Sequence, residues 1–134
     1  MAEPVKAIPL SAGLNIGAAP HRCAGVLAPA ALGNSQTKFE RFFVQGGDIL
    51  KIVWKFSVVG GTTSVTIYGL LSDANGNDNT TGTRDADNKQ ANAAVTTTQD
   101  SLSYTVTGER YCDVEVITDG SGATLTYLDV LLKP

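Results

Sequence analysis

The chain has 134 residues, 43% of them hydrophobic and 17% charged, with a net charge of -3 and a pI near 4.9. That is one typical domain, long enough to bury about two thirds of its unfolded surface around a core without staples. No apolar run approaches the roughly 20 residues needed to cross a bilayer, and without a cluster of Lys and Arg the acidic balance argues against a grip on nucleic acid.

Residues 1–37 consist largely of Ala, Gly, Pro and scattered aliphatics, and they hold four of the five prolines, Pro4, Pro9, Pro20 and Pro29. Each proline removes a backbone donor and biases its predecessor to an extended shape, which excludes a long helix. Short extended pieces are expected at Lys6–Leu10 and Leu14–Ile16, and one helical turn at Ala28–Leu32 before Gly33. The segment reads as an arm whose Ile8, Leu10, Leu14 and Ile16 need cover, either on their own domain or on a neighbouring subunit. The first residues do not read as a secretory signal, because Glu3 precedes any basic residue and Pro4, Pro9 and Gly13 interrupt every apolar stretch. An intracellular origin is expected.

Residues 38–134 read as an all-β domain. Lys38–Val44 is a short strand with apolar groups on both faces, and Gln45–Asp48 supply turn residues before the next strand, with which it is expected to pair. In Asp48–Val59, Leu50, Ile52, Trp54, Phe56 and Val58 fall at every second position, so one face of this strand is core. If Gly60 and Gly61 close a two-residue hairpin, Val59 pairs Thr62, Phe56 falls opposite Val65 and Trp54 opposite Ile67, so that core meets core over 49–71.

Ser72–Asn92 has no large apolar residue, and a polar loop is expected over 72–96. Asp73, Asn75 and Asn77 alternate as calcium ligands do, but Gly76 comes too early and no bidentate Glu follows; Asx turns explain the same residues, and no metal is expected. Asn79, Thr80 and Thr81 form a glycosylation sequon.

From Ser101 the pattern predicts a three-strand meander: Leu102–Thr107, Tyr111–Thr118 and Ala123–Leu132. A three-residue loop or bulge at Gly108–Arg110 would set Val106 beside Cys112, Tyr104 beside Val114 and Leu102 beside Val116. The opposite face then gathers Tyr111, Leu128, Val130 and Leu132 into a second apolar patch, which the arm or another subunit is expected to cover.

Cys23 and Cys112 match no metal-ligand spacing; two free buried thiols are the first reading and a disulfide the alternative. The single histidine, His21, gives a triad or a multi-histidine zinc site little to draw on. Asp113 with Glu115 and Asp85 with Asp87 are paired carboxylates, but no dry surroundings are evident to split their pKa values. No enzyme, catalytic residue or cofactor is expected.

The fold class these patterns predict is a two-layer antiparallel β-sandwich or jelly-roll-like domain with an extended N-terminal arm. The Ala/Gly/Pro arm of residues 2–33, the Thr-rich strands and the C-terminal run G-E-R-Y-C-D-V-E-V-I-T-D-G-S-G-A-T-L-T-Y-L-D-V-L-L together resemble the small head-decoration, or cement, proteins of tailed bacteriophages. The resemblance implies a structural virion protein, made in the host cytoplasm, that binds the major capsid protein on the capsid exterior and strengthens the shell. It also implies a homo-oligomer, a trimer first; no binding residue is carried over from that family, and the contacts expected from the apolar residues of the arm and the patch themselves are Ile8, Leu10, Leu14, Ile16, Tyr111, Leu128, Val130 and Leu132. A carbohydrate-binding sandwich using Tyr68, Tyr111 or Tyr127, and a phage tail or fibre component, are the alternatives.

Overall fold

A computed structural model describes residues 21–23, 25–44, 49–70, 84–107 and 111–133. They form nine strands: β1 (His21–Arg22), β2 (Ala30–Leu32), β3 (Thr37–Phe43), β4 (Ile49–Val59), β5 (Thr62–Leu70), β6 (Arg84–Asn92), β7 (Asp100–Thr105), β8 (Tyr111–Asp119) and β9 (Ala123–Lys133). All pairings are antiparallel. In one sheet β1 and β2 both lie along β9, followed by β4 and then β7; the other runs β3-β8-β5-β6. The expectation of an all-β two-layer sandwich holds, and the nested pairs β2 with β9, β3 with β8, β4 with β7 and β5 with β6 give it jelly-roll connectivity.

The core lies between the inner faces. From the β9 sheet come Leu50, Ile52, Trp54, Phe56, Tyr104, Leu125, Leu128, Val130 and Leu132; from the β8 sheet come Phe42, Val65, Ile67, Cys112, Val114 and Val116. Cys23 and Leu27 join this core, and both cysteines are free and buried, as the first reading had it.

The apolar faces are those the alternation predicts; the pairings are not. β4 and β5 do not form a hairpin. Trp54 pairs Leu128 and Asp100, whereas Ile67 pairs Val114 and Gln90, so these two core residues belong to opposite sheets. The Gly60–Gly61 turn is an arch from one sheet to the other. An alternating apolar face can meet another beside it or across a core, and alternation alone does not distinguish the two. The turn is seated where a hairpin loop would be free: Gly60 N–H donates to Gly122 O at 2.8 Å, and a Cβ on Gly61 would lie 1.9 Å from Asp119 O.

The same correction applies elsewhere. β3 pairs β8 and not β4. The meander does not form: Leu102 and Tyr104 on β7 pair Ile52 and Leu50, and β8 and β9 lie in different sheets. The bulge expected at Gly108–Arg110 lies outside the described residues. Within the expected arm, Ala30–Leu32 is a strand and not a helical turn, and β1 and β2 complete the β9 edge. Within the expected 72–96 loop, β6 is a nine-residue strand.

Two irregularities reset which residues face inward. Between Lys55↔Tyr127 and Phe56↔Leu125 the extra residue is Thr126 on β9; between Phe56↔Leu125 and Val58↔Thr124 it is Ser57 on β4. Each extra residue reverses the alternation. Leu128, Val130 and Leu132 are thereby turned into the core, and Val58, expected there, is 54% exposed.

Candidate functional site

The residues expected to form a surface patch do not meet. Leu128, Val130 and Leu132 are buried in the core of one sheet, and Tyr111 sits half-buried on β8 in the other. Unbroken alternation along β9 would gather them on one outer face, and the Thr126 bulge breaks that alternation. Ile8, Leu10, Leu14 and Ile16 lie outside the described residues, as do Asp73, Asn75 and Asn77. Among the described residues, no group of His, Cys, Asp and Glu is arranged to hold a metal ion.

The chemically distinctive surface is the outer face of the β8 sheet. Register places Phe39, Glu115, Thr66 and Ala91 in one row across β3, β8, β5 and β6, and Arg41, Asp113, Tyr68 and Lys89 in the next. β8 is flanked on both sides, so its outward carboxylates are covered by long neighbouring side chains. Asp113 is 0% exposed and Glu115 is 5% exposed. The dry surroundings that the sequence did not reveal are therefore present, supplied by two arginines.

Arg41 grips Asp113 with both arms of its fork, Nε to Oδ1 at 2.7 Å and Nη2 to Oδ2 at 3.0 Å. Arg84 reaches from β6 across β5, placing Nε 3.0 Å from Asp113 Oδ2 and Nη1 2.6 Å from Glu115 Oε2. Its guanidinium carbon lies 4.6 Å from the centre of the Tyr68 ring and 5.1 Å from that of Phe39. Burial pulls the Arg84 pKa down, but the hydrogen bonds to Glu115 and Asp113 outweigh it and raise the pKa overall. Bidentate, charge-assisted geometry of this kind offsets the cost of removing carboxylates from water.

This arrangement neutralises charge. Both Asp113 oxygens and Glu115 Oε2 accept from guanidinium groups. What the face presents outward is aromatic and cationic: Phe39 is 42% exposed, and Lys89 is exposed beside Tyr68.

A smaller group occupies the outer face of the other sheet. Arg22 stacks on Tyr127 at 4.6 Å and pairs Asp129 at 2.9 Å, and the Tyr127 hydroxyl donates to Gln99. Beneath β3, Glu40 points inward and its Oε1 accepts from Leu27 N–H at 2.9 Å, which ties the 25–29 segment to the opposite sheet.

The roles of Arg41 and Arg84 escaped the sequence reading. Arg84 lies in a stretch without large apolar residues that reads as loop, and its partners are 29 and 31 positions away. The usable signal was Asp113 and Glu115 themselves: two carboxylates alternating with Cys112, Val114 and Val116 in a core strand require cations over them.

No protein-family model matches the chain, and no curated protein matches it.

Proposed function

We propose that this protein is a non-enzymatic structural component of a virion that binds the outer capsid surface and stabilises the shell. The observation that carries this reading is the join between residues 1–20 and the domain. His21 and Arg22 pair Val130 and Asp129 at the edge of the β9 sheet, so a segment bearing Ile8, Leu10, Leu14 and Ile16 joins the sandwich at one defined edge. A domain of this kind needs no reacting centre. It opposes shell disruption by binding the assembled lattice better than free subunits, and repetition around a symmetry axis multiplies the effect. Jelly rolls recur in viral shells and in lectins, so the fold supports the reading only by analogy. Against sugar binding, the rings of Tyr68 and Tyr127 each carry a guanidinium at 4.6 Å, where a sugar would need a bare aromatic face.

The test is co-sedimentation of the full chain with undecorated capsids of the virus that encodes it. Saturable binding at a fixed number per capsomer, with a rise in the melting temperature of the shell, is the expected result. A chain beginning at residue 21 is expected to lose binding while keeping its native Trp54 fluorescence. Failure to bind the shell overturns the proposal; binding to purified tails or to a glycan array would assign one of the alternatives instead.

A further inference from the structure

β6 is an edge strand with little apolar surface of its own. Asn88, Lys89, Gln90 and Ala91 are exposed. Its pairing with β5 comes in two parts, Lys89–Asn92 against Tyr68–Val65 and then Arg84 against Leu70, with a register break between them. The end near Asn92 is held by its amide, which donates to Asp100 Oδ2 at 3.2 Å, and by the adjoining Val95, which is buried and donates its N–H to Thr63 O at 2.8 Å. The other end is held differently. Among the described side chains of β6, Arg84 is the one that crosses β5 to the central strand, where it contacts Asp113 and Glu115 beside the rings of Phe39 and Tyr68.

We infer that Arg84 is a latch, and that β6 opens as a unit separate from the rest of the sandwich when Arg84 leaves Asp113 and Glu115. Three features lead there. The strand's described side chains bring no apolar burial that would tie it to global unfolding, its ladder is already interrupted beside Arg84, and the strongest tertiary tie among them is one side chain making charge-assisted hydrogen bonds. Opening uncovers the main-chain edge of β5 from Val65 to Leu70, and a free edge of that length is a template for another strand. The inference holds whatever the domain binds.

The test is native-state amide hydrogen exchange on the full chain at several urea concentrations below the unfolding transition. In the wild type, β6 amides are expected to exchange faster than those of β8 and β9, with a shallower dependence on urea, because their opening exposes less surface. Arg84→Gln is expected to speed the β6 amides by about tenfold, the effect of losing hydrogen bonds to charged groups. Glu115→Gln removes one partner of Arg84 and leaves the Arg41–Asp113 pair intact; a smaller acceleration of the same amides is expected, and this variant decides the matter should Arg84→Gln not fold. Two results overturn the latch. One is β6 exchange at the rate and urea dependence of β8 and β9, which would mean no separate unit. The other is unchanged β6 exchange in variants whose global stability has fallen, which would mean that β6 opens with the Arg84 contacts intact.

Discussion

Asp113 shows at the level of one residue how a charge is carried in the middle of a sheet. Removing a carboxylate from water costs several kcal/mol, and only well-oriented partners offset that; here Arg41 and Arg84 supply three donors. Cys23 is the opposite case, a titratable group kept neutral. Burial, with smaller contributions from Glu40 and Asp129, pushes its thiol from the ordinary 9.0 to about 12. Because the folded pKa is the higher one, the stabilisation is complete below the unfolded value and is lost as pH rises from 9.0 towards 12. The urea midpoint should therefore fall less steeply between about pH 9 and about pH 11 in Cys23→Ala than in the wild type. Ellman's reagent should modify neither cysteine of the native protein at neutral pH, since the thiolate is the reactive form and both sulfurs are buried. A third residue, Gly61, is set by space: its missing Cβ is what allows Asp119 O to approach. Gly61→Ala should cost about 1–3 kcal/mol by urea unfolding, as overpacking does. Gly33→Ala, whose nearest contact would be the Gln36 side chain at 3.8 Å, should be close to neutral.

Single strands were legible where one face is apolar and illegible where neither is. Leu50, Ile52, Trp54 and Phe56 announce β4 and its inner face, whereas β6, R-D-A-D-N-K-Q-A-N, reads as loop because it lies at an edge and is held through its backbone and Arg84. β9 was legible as a strand, but its inner face was not. Ala123 and Leu125 point inward, and then Leu128, Val130 and Leu132 do, a change of phase introduced by Thr126. Deleting Thr126 alone would remove the extra residue and leave Leu128, Val130 and Leu132 facing inward, whereas deleting Thr126 together with Tyr127 would set Leu128 directly after Leu125 and turn the last three outward. Each such side chain is worth about 1.5–3 kcal/mol on burial, and together they rival the about 5–15 kcal/mol total of a typical domain. The double-deletion variant should show no cooperative urea transition, whereas the Thr126 deletion and Thr126→Ala, which keep the three side chains inward, should each retain one.

For the whole molecule, the architecture is a long antiparallel ribbon folded over on itself. Pairing begins with β5 and β6 and moves outward through β4 with β7 and β3 with β8 to β2 with β9, which joins residues about as far apart as the domain allows. Closing such loops costs entropy before the contacts repay it, so folding should be slow, in the range of about milliseconds to seconds. The single tryptophan, Trp54, is fully buried in the core, and its fluorescence in a stopped-flow refolding experiment measures this directly. Recovery within microseconds would be incompatible with the topology.

What the residues determined without help from the fold was local: which segments extend, and for most of them which side chains face a core. Side-chain direction in a strand follows from a two-residue period, a property of the backbone that needs no knowledge of neighbours. Val65 and Ile67, and likewise Val114 and Val116, point where that period says. Which strand lies beside which was decided by the tertiary structure. Gly60 and Gly61 suit a hairpin or an arch equally until the 119–122 turn is packed against them. The bulges at Ser57 and Thr126 and the reach of Arg84 are likewise non-local, because each is set by a partner strand distant in the chain. The short-range pattern recorded the faces, and only closure of the two sheets around one core selected the pairings.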